Sequence, residues 1–509
     1  MIPAEAERSL LSRPPTGAVA LVCLLVLPWV FPFTYGPSPA MLPWLVAMVT
    51  AIGVMGVASA KYRLGPVRFD RLIALAWLAA GLLSSLIALV QYAGASAAFA
   101  PWINYTEAGN AFANLRQRNQ FATLTNMALA ALWWWSVQER PPARQADAHG
   151  AALLMAMVLA LGNAASSSRT GLLQLGLLIA LMAAWGGLRQ RLLRRLLITY
   201  GVAYVAALWV LPWAIGLDPW TNGAWARLQA GDALCSSRLT LWRNVLHLIS
   251  LRPWFGWGWG ELDYAHFATP YPGPRFCDIL DNAHNLPLHL AVELGIPVAV
   301  GVFGVLTWLV WRAAPWRDAD PTRQLAWTVL ALIGLHSLLE YPLWYGPFQL
   351  AAGLCVWMLW RPGASPLSPA AGIISRAACG VAAVVLALGC GYAAWDYHRI
   401  SQIYLPPDAR AEAYRGDTLS KIRGTRLFAS QVDFAELTIT PLTPQNAQHL
   451  HDLAERLLHF SPEPRVIEKL IESAVLLQRD DEAKINLARY RAAFPEAHDR
   501  WAAAHRLPF

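Results

Sequence analysis

Charged residues are scarce in this 509-residue chain, and their scarcity excludes most classes of soluble protein. Asp, Glu, Lys and Arg make up 14% of the sequence, whereas an ordinary soluble domain carries about 25%. Hydrophobic residues make up 56%, and 25 residues are Trp. Disorder and a soluble nucleotide-binding fold therefore fit poorly, and the composition indicates a polytopic membrane protein.

Cysteine is also rare, with six residues, and no Cys/His spacing predicts a zinc site. We expect neither a metal nor a cofactor. Four of the cysteines lie in apolar runs, where a thiol behaves as a small buried group. The other two, Cys235 and Cys277, share one long polar loop and are candidates for a disulfide if that loop faces an oxidising compartment.

Apolar runs long enough to cross a bilayer recur along the chain, since a span needs about 20 residues. The predicted fold class is therefore all-α, a polytopic helical bundle of about eleven spans with a large loop outside the membrane. The predicted spans are 17–34, 41–59, 72–94, 120–138, 151–165, 170–186, 196–215, 286–311, 324–341, 344–360 and 373–395.

Lys and Arg residues predict the orientation, because cytoplasmic loops carry an excess of them. With the N-terminus in the cytoplasm, inside segments such as 189–195 and 312–323 hold most of the Lys and Arg residues of the short loops. The short outside loops then carry Arg116, Arg118 and Arg169. The formal charge of +8 is thus a topology signal, and we expect no nucleic-acid partner.

This orientation predicts four regions. The sequence divides into an N-terminal bundle (1–215), an outside loop (216–285), a second bundle (286–395) and an outside helical region (396–509). In the last region Phe460 before Pro462 recurs as Phe494 before Pro495, a spacing of about 34 residues that is typical of tetratricopeptide hairpins. A small helical cap without repeats is the alternative.

The arginines on the outside are the informative residues, because they violate the charge rule. Arg116, Arg118, Arg169 and Arg238 all lie beside small polar residues at the predicted membrane boundary. A guanidinium stays charged and binds phosphate oxygens bidentately. The cluster favours an anion site, and the alternative for any one arginine is contact with lipid headgroups.

The outside loop contains a predicted amphipathic helix at 239–251, with Leu239, Trp242, Leu246 and Ile249 on one face that could lie on the membrane. The glycine and tryptophan run at 253–260 lacks the strand that a nucleotide-binding loop requires. We expect it to be an interfacial anchor or a tight bend.

Ionisable residues at two places in the sequence suggest catalysis. His284 lies where span eight begins, with Asp281 or Asn282 as the expected N-cap, and a neutral imidazole there could act as a general base. His336 and Glu340 are four residues apart in span nine and are expected to share a helix face. Polar contacts that only support the bundle are the alternative in both places.

Together these motifs resemble the bacterial O-antigen ligase and O-oligosaccharyltransferase superfamily, and most closely its PglL-type protein O-oligosaccharyltransferases. His284-Asn285, nine residues and then Gly295 match the family's signature of a histidine, a small amide or hydroxyl residue, nine residues and a glycine. The motifs that carry the resemblance lie in family order at 115–122, 168–171, 238–242, 253–260, 283–285 and 336–345.

The resemblance implies a membrane enzyme of the bacterial inner membrane whose active site faces the periplasm. Such an enzyme moves a glycan from undecaprenyl pyrophosphate to Ser or Thr of pilin or another exported protein. His284 would be the general base, and Arg169 and Arg238 would stabilise the pyrophosphate. The residues expected to bind substrate are Arg116, Arg118, Asn285, His336, Glu340 and Tyr341.

Three alternatives remain at this point. An O-antigen ligase would use the same donor and transfer the glycan to lipid A core. A glycan polymerase uses related donors. A flippase for lipid-linked glycans would bind pyrophosphate without chemistry, but it would need basic residues along a path through the bilayer, whereas these lie at its outer edge.

Overall fold

The computed structural model describes residues 16–59, 68–138, 145–229, 234–360 and 369–505. These residues form 21 α-helices and no β-strand, which confirms the predicted all-α class. Several basic residues behind the predicted orientation, at 8–13, 61–63, 140–144 and 361, lie outside the described residues. The orientation therefore stays a prediction.

The helices follow one another in three groups. The first bundle holds α1 (Thr16–Val30), α2 (Met41–Ser59), α3 (Phe69–Tyr92), α4 (Arg118–Gln138), α5 (Gln145–Ser166), α6 (Arg169–Ala184) and α7 (Arg191–Ala214). The long loop holds α8 (Gly223–Gln229), α9 (Arg238–Leu251) and α10 (Leu262–Ala268). The second bundle and the C-terminal region hold α11 (Leu286–Leu294), α12 (Ile296–Ala313), α13 (Pro321–Ser337), α14 (Gly346–Trp360), α15 (Pro369–Ser401), α16 (Thr418–Ile422), α17 (Ala429–Ile439), α18 (Ala447–Leu458), α19 (Pro464–Leu476), α20 (Asp480–Ala493) and α21 (Pro495–Ala504).

Membrane-spanning helices are evident from length and apolar composition. Among the described residues five helices are long and apolar enough to cross a bilayer: Phe69–Tyr92, His149–Ser166, Arg191–Ala214, Ile296–Arg317 and Ala377–Tyr404. Four apolar helices are shorter: Gly17–Val30, Met41–Val57, Arg169–Ala184 and Gly346–Trp360. The chain is thus a polytopic membrane protein, and the count of eleven spans stays a prediction.

The centre of the bundle is α4, which packs against α3, α5, α6 and α13. Every residue of α4 from Gln120 to Trp134 is buried, including Thr123 and Asn126. Polar side chains are tolerated here because the surrounding helices shield α4 from the lipid and supply hydrogen-bond partners. Asn126 Nδ2, for example, donates to the carbonyl of Gly171 at 2.9 Å.

Predicted span eight is wrong as a single helix, because the chain breaks at Gly295 into α11 and α12. Gly295 has φ +89°, and a Cβ there would lie 2.2 Å from the carbonyl oxygen of Trp254. Gly256 has φ +68°, and its Cβ would lie 2.3 Å from the carbonyl oxygen of Glu293. The glycine-rich run at 253–260 therefore touches the end of α11 backbone to backbone.

The outside loop has a small core of its own. The buried face of α9 is Leu241, Val245 and Leu248, while Leu239 and Leu246 of the predicted apolar face are exposed and Ile249 is buried. Contact of that face with the membrane stays a prediction. The sequence pattern could not separate the two faces, because both carry leucine. Cys235 and Cys277 form a disulfide across this loop, with their Cα atoms 5.2 Å apart.

The C-terminal region packs α18, α19 and α20 around a second core. Consecutive helices contact each other here, and the tetratricopeptide-like hairpin stays a prediction. The region joins the bundle through α15, which continues past the predicted end of span eleven to Ser401. Asp396 on α15 is fully buried and accepts the backbone N–H groups of Arg426 and Leu427 at 3.0 and 2.9 Å.

The contact between the glycine-rich run and α11 makes a prediction. Gly256→Ala adds a Cβ against a backbone carbonyl at a positive φ, which costs about 2 kcal/mol or more. We expect the thermal midpoint of the detergent-solubilised protein to fall by several degrees. Gly273→Ala is the control, because a Cβ at Gly273 meets nothing within 4 Å. Equal midpoints for the two variants would contradict the prediction.

Candidate active site

A cavity of about 880 Å³ lies where three helices begin. Its walls include the first residues of α4, α6 and α9, which are Arg118, Arg169 and Arg238. Arg116 and Arg227 also line it. Five guanidinium groups and the positive ends of three helices therefore surround one space, which suits an anion with several negative charges.

An arginine at the first position of a helix is electrostatically unfavourable, because the helix N-terminus already carries about half a positive charge. Two of these starts are fixed by serine caps. Ser168 Oγ accepts the backbone N–H of Gly171 at 3.0 Å, and Ser237 Oγ accepts that of Thr240 at 3.2 Å. The caps hold the helix starts, and with them the arginines, in place at the cavity.

Glu340 joins the cavity to His284. One carboxylate oxygen accepts hydrogen bonds from Arg238 Nη2 and, at 3.0 Å, from Asn119 Nδ2. The other accepts from His284 Nδ1 at 2.6 Å. Burial raises the pKa of the carboxyl, but the His284 hydrogen bond and the charge of Arg238 outweigh burial and lower it below its usual value. Glu340 is therefore ionised at neutral pH.

The imidazole of His284 is oriented by these contacts. A carboxylate can only accept, so His284 Nδ1 carries a proton and the lone pair of the neutral ring lies on Nε2. Asn282 Oδ1 accepts the backbone N–H of His284 at 2.8 Å, and the ring packs edge-on against Tyr341 at 4.9 Å between centroids. The side chain keeps 19% of its surface exposed, so Nε2 suits a general base.

The backbone at His284 differs from the expected helix start. His284 has φ +49° and precedes α11, whose N-cap is Asn285 rather than Asp281 or Asn282. Asn285 Oδ1 accepts the backbone N–H of Leu288, and Asn285 Nδ2 donates to the carbonyl of Leu338 at 3.0 Å. The Asn285 side chain thus ties α11 to the loop that carries Glu340, a structural task beside its predicted role with substrate.

Asn119 and Ser168 are site residues that the sequence analysis missed. Asn119 Oδ1 accepts from Ser168 Oγ at 2.6 Å, while its Nδ2 donates to Glu340. The amide thereby links the start of α6 to the carboxylate. Arg227 on α8 was missed as well. Asn119 lies inside the arginine motif at 115–122, but an asparagine beside charged neighbours gave no separate signal.

Arg116 and Arg118 line the cavity and are also held by the protein. Arg116 donates to the carbonyl of Pro32 at 2.5 Å and to Asn104 Oδ1 at 3.1 Å, and burial lowers its pKa. Arg118 donates to Asn110 Oδ1. These contacts position both guanidinium groups, and the predicted role of the two residues with substrate stays a prediction.

His336 does not line the cavity. It is 1% exposed inside the bundle, and its Nδ1 lies 2.9 Å from Thr123 Oγ1. The expectation that His336 and Glu340 share a helix face is wrong, because α13 ends at Ser337. Glu340 lies in the following loop, where its N–H donates to the His336 carbonyl at 2.8 Å. His336 therefore supports Glu340 through the backbone.

Among the described residues, no group of three or more His, Cys, Asp or Glu side chains is placed to hold a metal ion.

Three models of protein families match parts of the chain. Residues 150–303 match the family model described as O-Antigen ligase. Residues 111–135 match the model for Protein glycosylation ligase, and residues 324–507 match that for the C-terminal part of Virulence factor membrane-bound polymerase. Each model matches a separate part of the chain, and the part at 150–303 is similar to the O-antigen ligase family. The match at 111–135 to a protein glycosylation ligase confirms the resemblance to PglL-type proteins drawn from the motifs.

Two curated proteins of Acinetobacter baylyi are similar to the chain. The "General O-oligosaccharyltransferase" is 24% identical over 295 residues, which are 55% of this chain and 49% of that protein. The "ComP-specific O-oligosaccharyltransferase" is 25% identical over 253 residues, which are 48% of this chain and 43% of that protein. The alignments thus span less than half the length of these relatives.

A second ionisable pair lies on α11, the helix that begins after His284. His289 and Glu293 are 3% and 2% exposed, and His289 Nε2 lies 3.5 Å from Glu293 Oε2. Burial raises the pKa of Glu293 to about 7, although the backbone N–H groups of Gly260 and Leu262 favour its ionised form. Burial also lowers the pKa of His289 to about 4. The ring is therefore neutral at pH 7, and the carboxyl of Glu293 keeps its proton to a higher pH than an ordinary glutamate.

The pKa of Glu293 predicts how stability depends on pH. The folded pKa of about 7 exceeds the ordinary 4.5, so Glu293 makes the protein less stable as pH rises from 4.5 to 7. The full loss is between about 3 and 4 kcal/mol, at about 1.4 kcal/mol for each unit of pKa shift.

We therefore expect Glu293→Gln, which cannot ionise, to raise the thermal midpoint at pH 8 and to match the wild type near pH 4. Thermal unfolding in detergent across this range measures the difference. Glu496→Gln on the exposed surface of α21 gives the background. A constant difference between Glu293→Gln and wild type at every pH would show that Glu293 does not titrate in this way.

Proposed function

We propose that this chain transfers an oligosaccharide en bloc from undecaprenyl pyrophosphate to a Ser or Thr hydroxyl of pilin or another exported protein. The site would face the periplasm at the bacterial inner membrane. The observation that carries the proposal is the Glu340 carboxylate, which joins Arg238 to His284 at the wall of the arginine-lined cavity. Relatives named as O-oligosaccharyltransferases support the reaction class.

The cavity is the proposed site of the donor pyrophosphate. Arg169 and Arg238 would bind its oxygens, with Arg116 and Arg118 holding the rest of the donor. When the bond to the anomeric carbon breaks, negative charge develops on the departing phosphate. Fixed guanidinium groups stabilise that charge without having to reorganise, and one such donor is typically worth about 10²–10³-fold in rate.

The acceptor hydroxyl would be activated by His284. Its oxygen attacks the anomeric carbon as the carbon–oxygen bond to the pyrophosphate breaks, and its proton passes to His284 Nε2. Glu340 then faces an imidazolium, whose charge it stabilises through Nδ1. Attack from the face opposite the pyrophosphate inverts the anomeric centre. No metal takes part in this proposed mechanism.

The four predicted regions receive roles in this proposal. The bundles 1–215 and 286–395 would span the membrane. The loop 216–285 would supply Arg227 and Arg238, and the helical region 396–509 would lie in the periplasm. The donor cavity forms between the first bundle and the loop, with Leu339 and Glu340 of the second bundle completing it.

The second candidate function is transfer of lipid-linked O-antigen to lipid A core. It is favoured by the match of residues 150–303 to the family described as O-Antigen ligase. Both candidates use the same donor chemistry and differ in the acceptor alone. A test must therefore detect glycan on both acceptors in the same cells.

Replacement of His284 tests the proposal. In a bacterial strain without its own ligase, supplied with a lipid-linked glycan and a pilin, we expect the wild-type chain to glycosylate Ser or Thr. His284→Ala should lower transfer about 10²–10⁴-fold, because the hydroxyl loses its base. Mobility shift and mass spectrometry of the pilin measure the product.

The control is His247→Ala, since His247 is a loop histidine that packs against Tyr271 and does not line the cavity. Glycan found on lipid A core alone would establish the ligase instead. Undiminished transfer by His284→Ala would remove His284 as the base.

Two substitutions of Asn119 are predicted to lower transfer activity by different amounts. Asn119→Asp places a carboxylate where an amide donated to Glu340 at 3.0 Å, and two carboxylates this close cannot both ionise. We expect Asn119→Asp to lose more activity at pH 7 than Asn119→Ala, which removes one hydrogen bond without adding charge. The same transfer assay, repeated between pH 5 and 8, measures both variants. Equal activity across this range would mean that Asn119 does not act on Glu340.

A further inference from the structure

Helix α10 connects the outside loop to the C-terminal region. Tyr264 stacks on the ring of His459 at 3.9 Å between centroids. Glu261, just before α10, pairs with His459 Nδ1 at 2.6 Å. Phe267 is 3% exposed and belongs to the core that α18, α19 and α20 form. The C-terminal region thus holds α10 by a side-chain hydrogen bond, a ring stack and a buried aromatic side chain.

The glycine-rich run at 253–260 leads into α10 and binds the end of α11. Trp257 N–H donates to the Val292 carbonyl and Gly258 N–H to the Glu293 carbonyl, both at 2.9 Å. In the reverse direction, Ile296 N–H donates to the Pro253 carbonyl at 2.8 Å. Because backbone atoms make these bonds, the run and the end of α11 must move together.

The other end of α11 carries His284. The helix has nine residues, and Asn285 caps it directly after His284. A helix this short, buried along His289, Val292 and Glu293, transmits a displacement of its end to its start. A continuous set of contacts therefore leads from His459 through α10, the glycine-rich run and α11 to the imidazole.

We propose that the C-terminal helical region positions His284, acting as a brace on α11 through the contact of His459 with Glu261 and Tyr264. The catalytic part of this statement rests on the proposed function. His459 is a positioning residue in this scheme and does not touch substrate. The brace acts on every transfer, whichever acceptor is used, whereas a region that selects acceptors would change acceptor affinity.

Hydrogen exchange tests the brace independently of activity. In the purified full-length protein, His459→Ala should speed amide exchange in 253–294 about fivefold or more, because the contact that holds α10 is weakened. His449→Ala is the matched control, since His449 lies on α18 of the same region and pairs with Glu436, away from α10. Unchanged exchange in 253–294 for His459→Ala would overturn the brace.

Substitutions that change the charges at positions 459 and 261 test whether the brace affects catalysis. His459→Glu opposes Glu261 and should lower kcat of glycan transfer about tenfold or more, since small misplacements of a catalytic group are costly, while the KM for the acceptor stays constant. Adding Glu261→Lys should restore most of the rate, because a lysine at position 261 can pair with the glutamate at position 459. Restoration by the second substitution separates a specific contact from general misfolding.

The outcomes distinguish the two proposals. If the wild-type chain transfers no glycan, the proposed function is contradicted. The hydrogen-exchange result for His459→Ala still tests the brace in that case. A wild-type chain that transfers glycan, with a raised acceptor KM and constant kcat for His459→Glu, would make the C-terminal region an acceptor-binding domain and overturn the brace.

Discussion

The ionised carboxylate of Glu340 holds together segments that lie far apart in the sequence. It binds Arg238 of the outside loop, His284 before α11 and Asn119 of α4. A buried carboxylate is costly unless it is paired, so each partner is held where it satisfies the charge. The same group that orients the imidazole also fixes a guanidinium at the cavity. In the proposed mechanism, acid–base chemistry and anion binding therefore share one electrostatic centre.

Much of the site could be predicted because its residues violate membrane rules. Ionisable residues are rare in apolar segments, and arginines are rare in loops predicted to lie outside the cytoplasm. The sequence therefore indicated Arg169, Arg238, His284 and Glu340 as candidate site residues. Asn119 carries no charge, and its place between a serine and a carboxylate depends on how two helices pack. The end of α13 was also hidden, since Leu338 and Leu339 continue its apolar pattern beyond the last helical residue.

The all-α architecture followed from hydropathy, but the break at Gly295 did not. Residues 286–311 are apolar throughout, and only the contact with the run at 253–260 divides them. Periodicity reports the surroundings of one segment, whereas this break is set by another segment at close range. The same limit applies to α9, where leucines point both to the core of the loop and away from it.

The burial of α4 has a consequence for how the protein enters the membrane. Polar residues such as Gln120, Thr123 and Asn126 leave this helix short of the apolarity that partitioning into lipid requires. Its neighbours α3 and α5 are apolar enough to insert by themselves. We therefore expect α4 to depend on packing against α3 and α5, rather than on its own hydropathy, for its place in the bilayer. The helix that carries Asn119 would enter the bilayer already in the company of its neighbours, so that integration and tertiary packing of the centre are a single step.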